Sequence, residues 1–247
     1  MSEWIEGRIV GHQQWAENLY SLCIDAPLPT FRAGQYVKIA LDLGTERIGR
    51  PYSLVNAPDE RPLEIYFSEV PEGPLSPRLS TLEIGARVWV AARAGGIFTL
   101  DQVVTRRHLW LLATGTALGV YLAILKTAEP WARFERVILA HGVRYPEELS
   151  YGETIAALRA RHGAQLTFLP TVTRAAAPGA LHGRITELLA SGGLQAAAGV
   201  AITPADSHLM LCGNAAMIRE VGAWLEARGM YRHKRNAPGH YTTEQYY

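Results

Sequence analysis

Arg50-Pro51-Tyr52-Ser53-Leu54-Val55 brings together a planar cation, a ring of fixed φ, a flat phenol, a hydroxyl and the start of an apolar strand. A guanidinium presents a fork of donors that matches a phosphate. Tyr52 offers a face on which a planar ring can stack, and Ser53 adds a small donor–acceptor. Alone, the stretch fits two descriptions equally: a clamp for a phosphate and a ring, or an edge strand with an exposed Arg. Its surroundings decide between them.

Around it, residues 4–90 alternate short β-like runs with turn signals. The runs are Ile9-Val10, Leu19-Tyr20-Ser21-Leu22-Cys23-Ile24, Gln35-Tyr36-Val37-Lys38-Ile39-Ala40, the stretch at residues 52–55, residues 63–70 and Arg87-Val88-Trp89-Val90. Pro27, Pro29, Gly34, Gly44, Pro58, Pro62 and Gly85 punctuate them. Five or six short strands at this spacing predict a small antiparallel barrel. Ser76-Pro77 supplies an N-cap and first-turn pair for a helix over residues 76–82, and a helix start beside a barrel is a ready anion site. Phe31-Arg32-Ala33-Gly34-Gln35-Tyr36 reads as a turn entering a strand. Ala94-Gly95-Gly96-Ile97 reads as a glycine bend able to let backbone approach a ligand.

The pattern changes after Asp101, where the domain boundary is expected: residues 1–101 form one domain and 102–247 the other. The continuous apolar run at residues 108–113 suits a parallel strand buried on both faces. Gly115-Thr116-Ala117-Leu118-Gly119 and a helix over 120–128 follow. Strands at 136–144, 165–172 and 208–214 alternate with helices at 153–161 and 215–227, which predicts an open parallel α/β sheet. Ligands of such sheets sit at the carboxyl ends of the strands. Those ends present Gly115-Thr116, Arg144, Thr173-Arg174 and Cys212-Gly213-Asn214, with Arg184 a loop further on. The first turn is not GxGxxG. An acid after the second strand would favour NAD, whereas an Arg accommodates the 2′-phosphate of NADP, and here the second and third strands both end in Arg.

The composition is that of a globular protein: 247 residues, 48% apolar, 19% charged and a net charge of +1. That balance makes no global case for nucleic acid or an anionic membrane. Two cysteines, Cys23 and Cys212, exclude an iron–sulfur cluster or Cys-rich zinc site held by this chain alone and suit a reducing cytoplasm. Eight histidines lack ligand spacing, so no metal is expected. Met1-Ser2-Glu3-Trp4-Ile5-Glu6 lacks an apolar core and does not resemble a secretory signal. Residues 109–125 are uncharged but short of a membrane span.

Arg50-Pro51-Tyr52-Ser53, Leu75-Ser76-Pro77-Arg78-Leu79, Ala113-Thr114-Gly115-Thr116-Ala117, Leu211-Cys212-Gly213-Asn214 and the tail from Pro238-Gly239-His240 onward occur in an order that resembles the ferredoxin–NADP reductase family, specifically its bacterial ferredoxin/flavodoxin reductases. The resemblance covers essentially the whole chain. It implies an N-terminal FAD-binding barrel, an NADP-binding α/β domain, and a C-terminal tail that returns to the FAD. By family pattern Arg50 meets the FAD pyrophosphate, Tyr52 lies against the isoalloxazine and Ser53 near its reactive N5, with Pro51 among the cofactor-binding residues. Tyr66, Phe67 and Ser68 pass the flavin and ribose, while Leu75 and Ser76 donate to the pyrophosphate. Thr116 stands between the cofactors, and Arg144, Thr173, Arg174 and Arg184 hold the 2′-phosphate. Cys212 falls near the nicotinamide, as a packing or aligning group. Glu244 is a candidate proton or orienting group, and Tyr247 a candidate platform for the FAD adenine.

The implied activity is FAD-mediated transfer from NADPH to ferredoxin or flavodoxin, with the cofactor carrying the chemistry. Arg47, Arg50, Arg78, Arg93 and Arg232-His233-Lys234-Arg235 are candidates for a basic rim that docks an acidic carrier transiently, the enzyme being a monomer. No partner of nucleic acid or membrane type is expected. Three other assignments compete: a free-flavin or quinone reductase of the same architecture, an electron-transfer subunit of a larger complex, which the lack of a cysteine cluster disfavours, and a non-catalytic nucleotide-binding scaffold.

Overall fold

Alternating inward and outward residues build the first half of the chain as a closed antiparallel sheet. In this computed structural model, which describes residues 3–246, the strands are β1 (Trp4–Ala16), β2 (Leu19–Asp25), β3 (Tyr36–Leu43), β4 (Glu46–Ser53), β5 (Leu63–Ser68) and β6 (Arg87–Ala91), with a one-turn helix α1 (Ser76–Leu79) before β6. They pair in the order β4-β3-β6-β1-β2-β5. The two edges meet where Leu54 bridges to Ile65 and the Val55 N–H donates to the Glu64 carbonyl at 2.9 Å, giving the expected barrel.

The period-two pattern puts Val37, Ile39 and Leu41 of β3 inside with Leu22, Ile24, Leu63, Ile65, Phe67, Val88 and Val90. On the outer face Asp42 accepts from Trp89 Nε1 at 2.8 Å and from Arg47 Nε at 2.7 Å. The Arg47 guanidinium also lies 3.8 Å from the Trp89 ring centroid. Arg47, a candidate for the docking rim, therefore spends its charge within the barrel wall.

Three expectations shift at the elements. Residues 52–55 were expected to form a strand of their own, but 52 and 53 end β4, which begins at Glu46. The helix at 76 is a single turn whose N-cap is Leu75 in helical φ/ψ, not Ser76. The Ser76 hydroxyl instead accepts the Val70 N–H at 2.9 Å, tying α1 to the chain leaving β5. The glycine bend is occupied by packing: Gly95 and Tyr36 exchange backbone hydrogen bonds at 2.9 and 3.0 Å, and a Cβ at Gly96 would come within 3.1 Å of the Tyr36 ring. Gly34, with φ +100°, has no room for a Cβ against the Phe98 carbonyl.

The second unit is a parallel sheet. It comprises β7 (His108–Thr114), α3 (Glu129–Arg133), β8 (Arg136–Val143), α4 (Gly152–His162), β9 (Leu166–Val172), β10 (Leu181–His182), α5 (Ile185–Ala190), α6 (Gly193–Ala198), β11 (Ser207–Gly213), α7 (Ala215–Glu226) and β12 (Tyr241–Gln245), while α2 (Leu118–Leu125), between β7 and α3 in the chain, groups with the first unit from Gly119 on. The sheet order is β10-β9-β8-β7-β11-β12, with every pairing parallel. All seven residues of β11 are buried, as a strand covered on both faces requires.

The compact units are residues up to Thr99 with Gly119–Thr127, and Leu100–Leu118 with residues from Ala128 onward. A division at Asp101 assigns α2 to the second domain, but its packing groups it with the barrel. Gly119 sits against Val55 and Tyr66, the Tyr121 ring lies 6.0 Å from that of Phe98, and Lys126 pairs with Glu60 at 3.1 Å. At eight residues, α2 is far too short to span a bilayer, and no described helix is long and apolar enough to do so.

Two histidines are wholly buried in the second unit, His141 on β8 and His208 on β11. Burial pushes the first down to about 4 and the second to about 3, the latter helped by the nearby His233, His240, Arg106 and Arg133. In the unfolded chain both protonate near 6.5. The unfolded state therefore binds more protons over that window, and stability falls as pH drops from about 6.5 toward 4. Urea denaturation between pH 8 and 4.5 is expected to show a stable plateau above pH 7 and a falling midpoint below it. Replacement of His141 by Asn should flatten part of that fall.

Candidate functional site

In the barrel unit, the end of β4 presents the opening stretch. Arg50 is exposed, and its Nη1 donates only to the neighbouring Gly49 carbonyl at 2.9 Å, with no carboxylate partner among the described residues. Tyr52 packs its ring edge against Phe67 at 5.7 Å between centroids, and burial pushes its phenol up to about 12, against the lowering charge of Arg50. It thus stays a neutral donor across the physiological range. Phe67 itself turns into the barrel core, stacked 5.9 Å from Tyr20, so its ring is packing and only its backbone faces out. Tyr66, one residue earlier, points to the opposite side and is covered by Gly119. Ser68 ends β5 exposed. The Leu75 and Ser76 N–H groups, at the start of α1, have no acceptor among the described residues. A free guanidinium, unspent N–H donors and a half-buried phenol are the donor set that a dinucleotide's phosphates and ring require, so the residues fit FAD.

The second unit presents its strand ends together. Asn214 caps α7, its Oδ1 accepting the N–H groups of Ala216 and Met217 at 2.8 and 3.3 Å. Its own N–H donates to Thr114 Oγ1 at 2.8 Å, which joins the end of β11 to the end of β7. Gly213 between them has φ +125°, and a Cβ there would overlap Thr114 Oγ1. Thr116 lies half-buried in the 3-10 turn Gly115–Ala117 after β7. That turn is held by His141, whose Nε2 lies 2.9 Å from the Gly115 carbonyl. A carbonyl only accepts, so Nε2 carries the proton and the ring is the neutral tautomer that its depressed pKa demands.

At the next two strand ends Arg174 donates its N–H to the Arg144 carbonyl at 2.9 Å and Thr173 its N–H to the Val143 carbonyl at 3.2 Å. The fold therefore brings Arg144, Thr173 and Arg174 side by side. Arg184 is the exposed N-cap of α5. None of the three arginines has an ion-pair partner among the described residues. Cys212 is buried in β11 opposite Glu244 of β12. Burial and then the Glu244 charge raise its thiol well above the ordinary value. The Tyr246 N–H donates to the Gly213 carbonyl at 3.0 Å, while Tyr247 lies outside the described residues.

The model of the oxidoreductase NAD-binding domain matches residues 111–222. The chain is 43% identical to the flavodoxin/ferredoxin–NADP reductase of Shigella flexneri, with all of both chains covered, and 42% identical to that of Escherichia coli K12, again over all of both. The chain belongs to the flavodoxin/ferredoxin–NADP reductase family. Its fold matches a ferredoxin NADP+ reductase from Neisseria gonorrhoeae, solved with bound FAD and NADP, with a TM-score of 0.94 at 29% identity over 99% of each chain.

Against that family background, two residues that carry the site's geometry and one strand were not singled out from sequence. Thr114 and His141 act through contacts with residues distant in the chain, and β12 was not expected as a strand at all. The i,i+3 spacing of Arg184 and Glu187 was legible as a capping pair and was not used.

Two outcomes follow. Gly213→Ala must open the Thr114 contact and strain a positive-φ residue, costing about 2–5 kcal/mol in urea denaturation. Cys212 should resist iodoacetamide at pH 8 in the native protein and react after unfolding, since a buried, protonated thiol is no nucleophile.

Proposed function

We propose that the chain is an FAD-dependent ferredoxin/flavodoxin–NADP(+) reductase, oxidising NADPH and reducing a small one-electron carrier. The observation that carries this is the pair Arg144 and Arg174, joined through their main chains at 2.9 Å and free of carboxylates. Unpaired guanidinia at adjacent strand ends suit a dianionic 2′-phosphate and give no advantage with NADH.

FAD, when bound, supplies the switch between two-electron and one-electron transfer. The chain's own part is binding and orientation. Arg50, Leu75 and Ser76 would hold the pyrophosphate, and Pro51, Tyr52 and Ser53 with the backbone of Tyr66, Phe67 and Ser68 would set the ring. Thr173 and Arg184 would complete the clamp around Arg144 and Arg174, and Thr116 would border the nicotinamide with Cys212 and Glu244. The Cys212 thiol, held well above its ordinary pKa by burial and then by the Glu244 charge, supports an aligning role for it. Transient carrier docking would draw on Arg50, Arg78, Arg93 and the exposed Arg232, Lys234 and Arg235. Two free cysteines support a reducing, cytoplasmic setting, and a monomer suffices for this chemistry.

Purified protein is expected to be yellow and to release FAD on denaturation. Steady-state oxidation of NADPH and NADH, with ferredoxin, flavodoxin and a dye as acceptors, should favour NADPH strongly. Arg174→Ala should raise KM for NADPH by about tenfold or more while leaving the NADH reaction unchanged, the loss of one charge-assisted contact. Equal rates with both nucleotides in the wild type would overturn the proposal, and reduction of free flavin in place of either protein carrier would reassign the acceptor.

A further inference from the structure

Two glutamates stand beside the arginines of the proposed clamp, and neither pairs with a guanidinium. Glu148 Oε2 accepts the N–H of Arg144 at 2.7 Å and of Tyr145 at 3.2 Å. Glu187 Oε2 accepts the N–H of Arg184 at 3.0 Å. In both places the acid closes a helical turn, the 3-10 turn Pro146–Glu148 after β8 and the first turn of α5. This is the reach-back half of a capping box, in which a Glu three residues into the turn satisfies the main chain at its start.

A carboxylate near a free guanidinium ordinarily takes it in a bidentate pair. Here Oε2 of each acid is held by the main chain, and Arg144 and Arg184 carry no ion pair among the described residues. Arg174 inherits its place from the same turn. Its N–H bonds to the Arg144 carbonyl at 2.9 Å, and its guanidinium lies 5.9 Å from the ring centroid of Tyr145, whose N–H Glu148 also holds. An acid left free at this strand end would oppose a phosphate and attract ribose hydroxyls. Glu148 instead sets its Oε2 on two main-chain N–H groups.

We propose that Glu148 and Glu187 are positioning residues that fix the main chain of Arg144 and Arg184 and thereby leave the guanidinia open to a 2′-phosphomonoester. The proposal rests on the assignment of these arginines to NADPH and adds to it the groups that hold them in place.

The test is titration calorimetry with 2′,5′-ADP and with AMP, alongside KM and kcat for NADPH, on Glu148→Ala, Glu148→Gln, Glu187→Ala, Glu187→Gln and Arg174→Ala. Each glutamate-to-Ala variant should weaken 2′,5′-ADP roughly three- to tenfold, hold AMP within about twofold and raise KM at unchanged kcat. Gln keeps an acceptor oxygen and should restore wild-type binding. Tighter 2′,5′-ADP binding in both the Ala and Gln variants would overturn the proposal, because the carboxylates would then act as opposing charges. Wild-type binding in the glutamate variants, with binding lost in Arg174→Ala, would overturn it while leaving the clamp standing. If Arg174→Ala also binds normally, the clamp and its positioning residues fall together.

Discussion

The ends of β7 and β11 are joined by one hydrogen bond, from the Asn214 N–H to Thr114 Oγ1 at 2.8 Å, across a glycine with no room for a side chain. Much of the second unit's site depends on it. Asn214 is also the cap of α7, so the contact that joins two strand ends sets where that helix begins. On the other side of β7, the neutral His141 donates to the Gly115 carbonyl and fixes the turn that carries Thr116. Of these two contacts, His141 supplies the buried one, and losing a buried hydrogen bond is a heavier cost than a missing surface contact.

A different division of labour holds at the next strand ends. Arg144, Arg174 and Arg184 are long, exposed cations, yet their backbones are tightly bonded through Glu148, Glu187 and the Arg174–Arg144 main-chain contact. The main chain is ordered and the charge is left open, which is what a preorganised anion site needs. Arg47 shows the opposite use of the same residue type. Bonded to Asp42 and stacked on Trp89, it holds the barrel wall and has little charge left for a partner.

Local sequence made much of the fold legible. Alternation marked β2, β5 and β6 within a residue or two but caught only Ile9-Val10 of β1 and the last two residues of β4, while a continuous apolar run marked β7, and β8, β9 and β11 were found close to their places. The short elements were missed because they lack a period of their own. β10 is two residues long, and α5 and α6 are six each, below the length at which an amphipathic stripe stands out. β12 is Tyr-Thr-Thr-Glu-Gln, which acquires strand geometry by adding to the edge of β11. The helix at Ser76 was misjudged at its cap because Val70, six residues earlier, claims the hydroxyl.

Sequence by itself determined the class of the molecule, a barrel followed by a parallel α/β sheet, and the residue types of its site: cations at strand ends and a phenol and hydroxyl after Arg50. Those follow from period, turn chemistry and charge, which are properties of neighbours along the chain. Only the tertiary structure decided which of these groups are free to bind. It turned Phe67 into the core, paired Arg47 internally, moved α2 into the barrel unit, and spent Glu148 and Glu187 on main-chain N–H groups. The reason is that hydrogen-bond satisfaction and burial are settled by groups far apart in sequence, and a residue's type does not say which partner will reach it first.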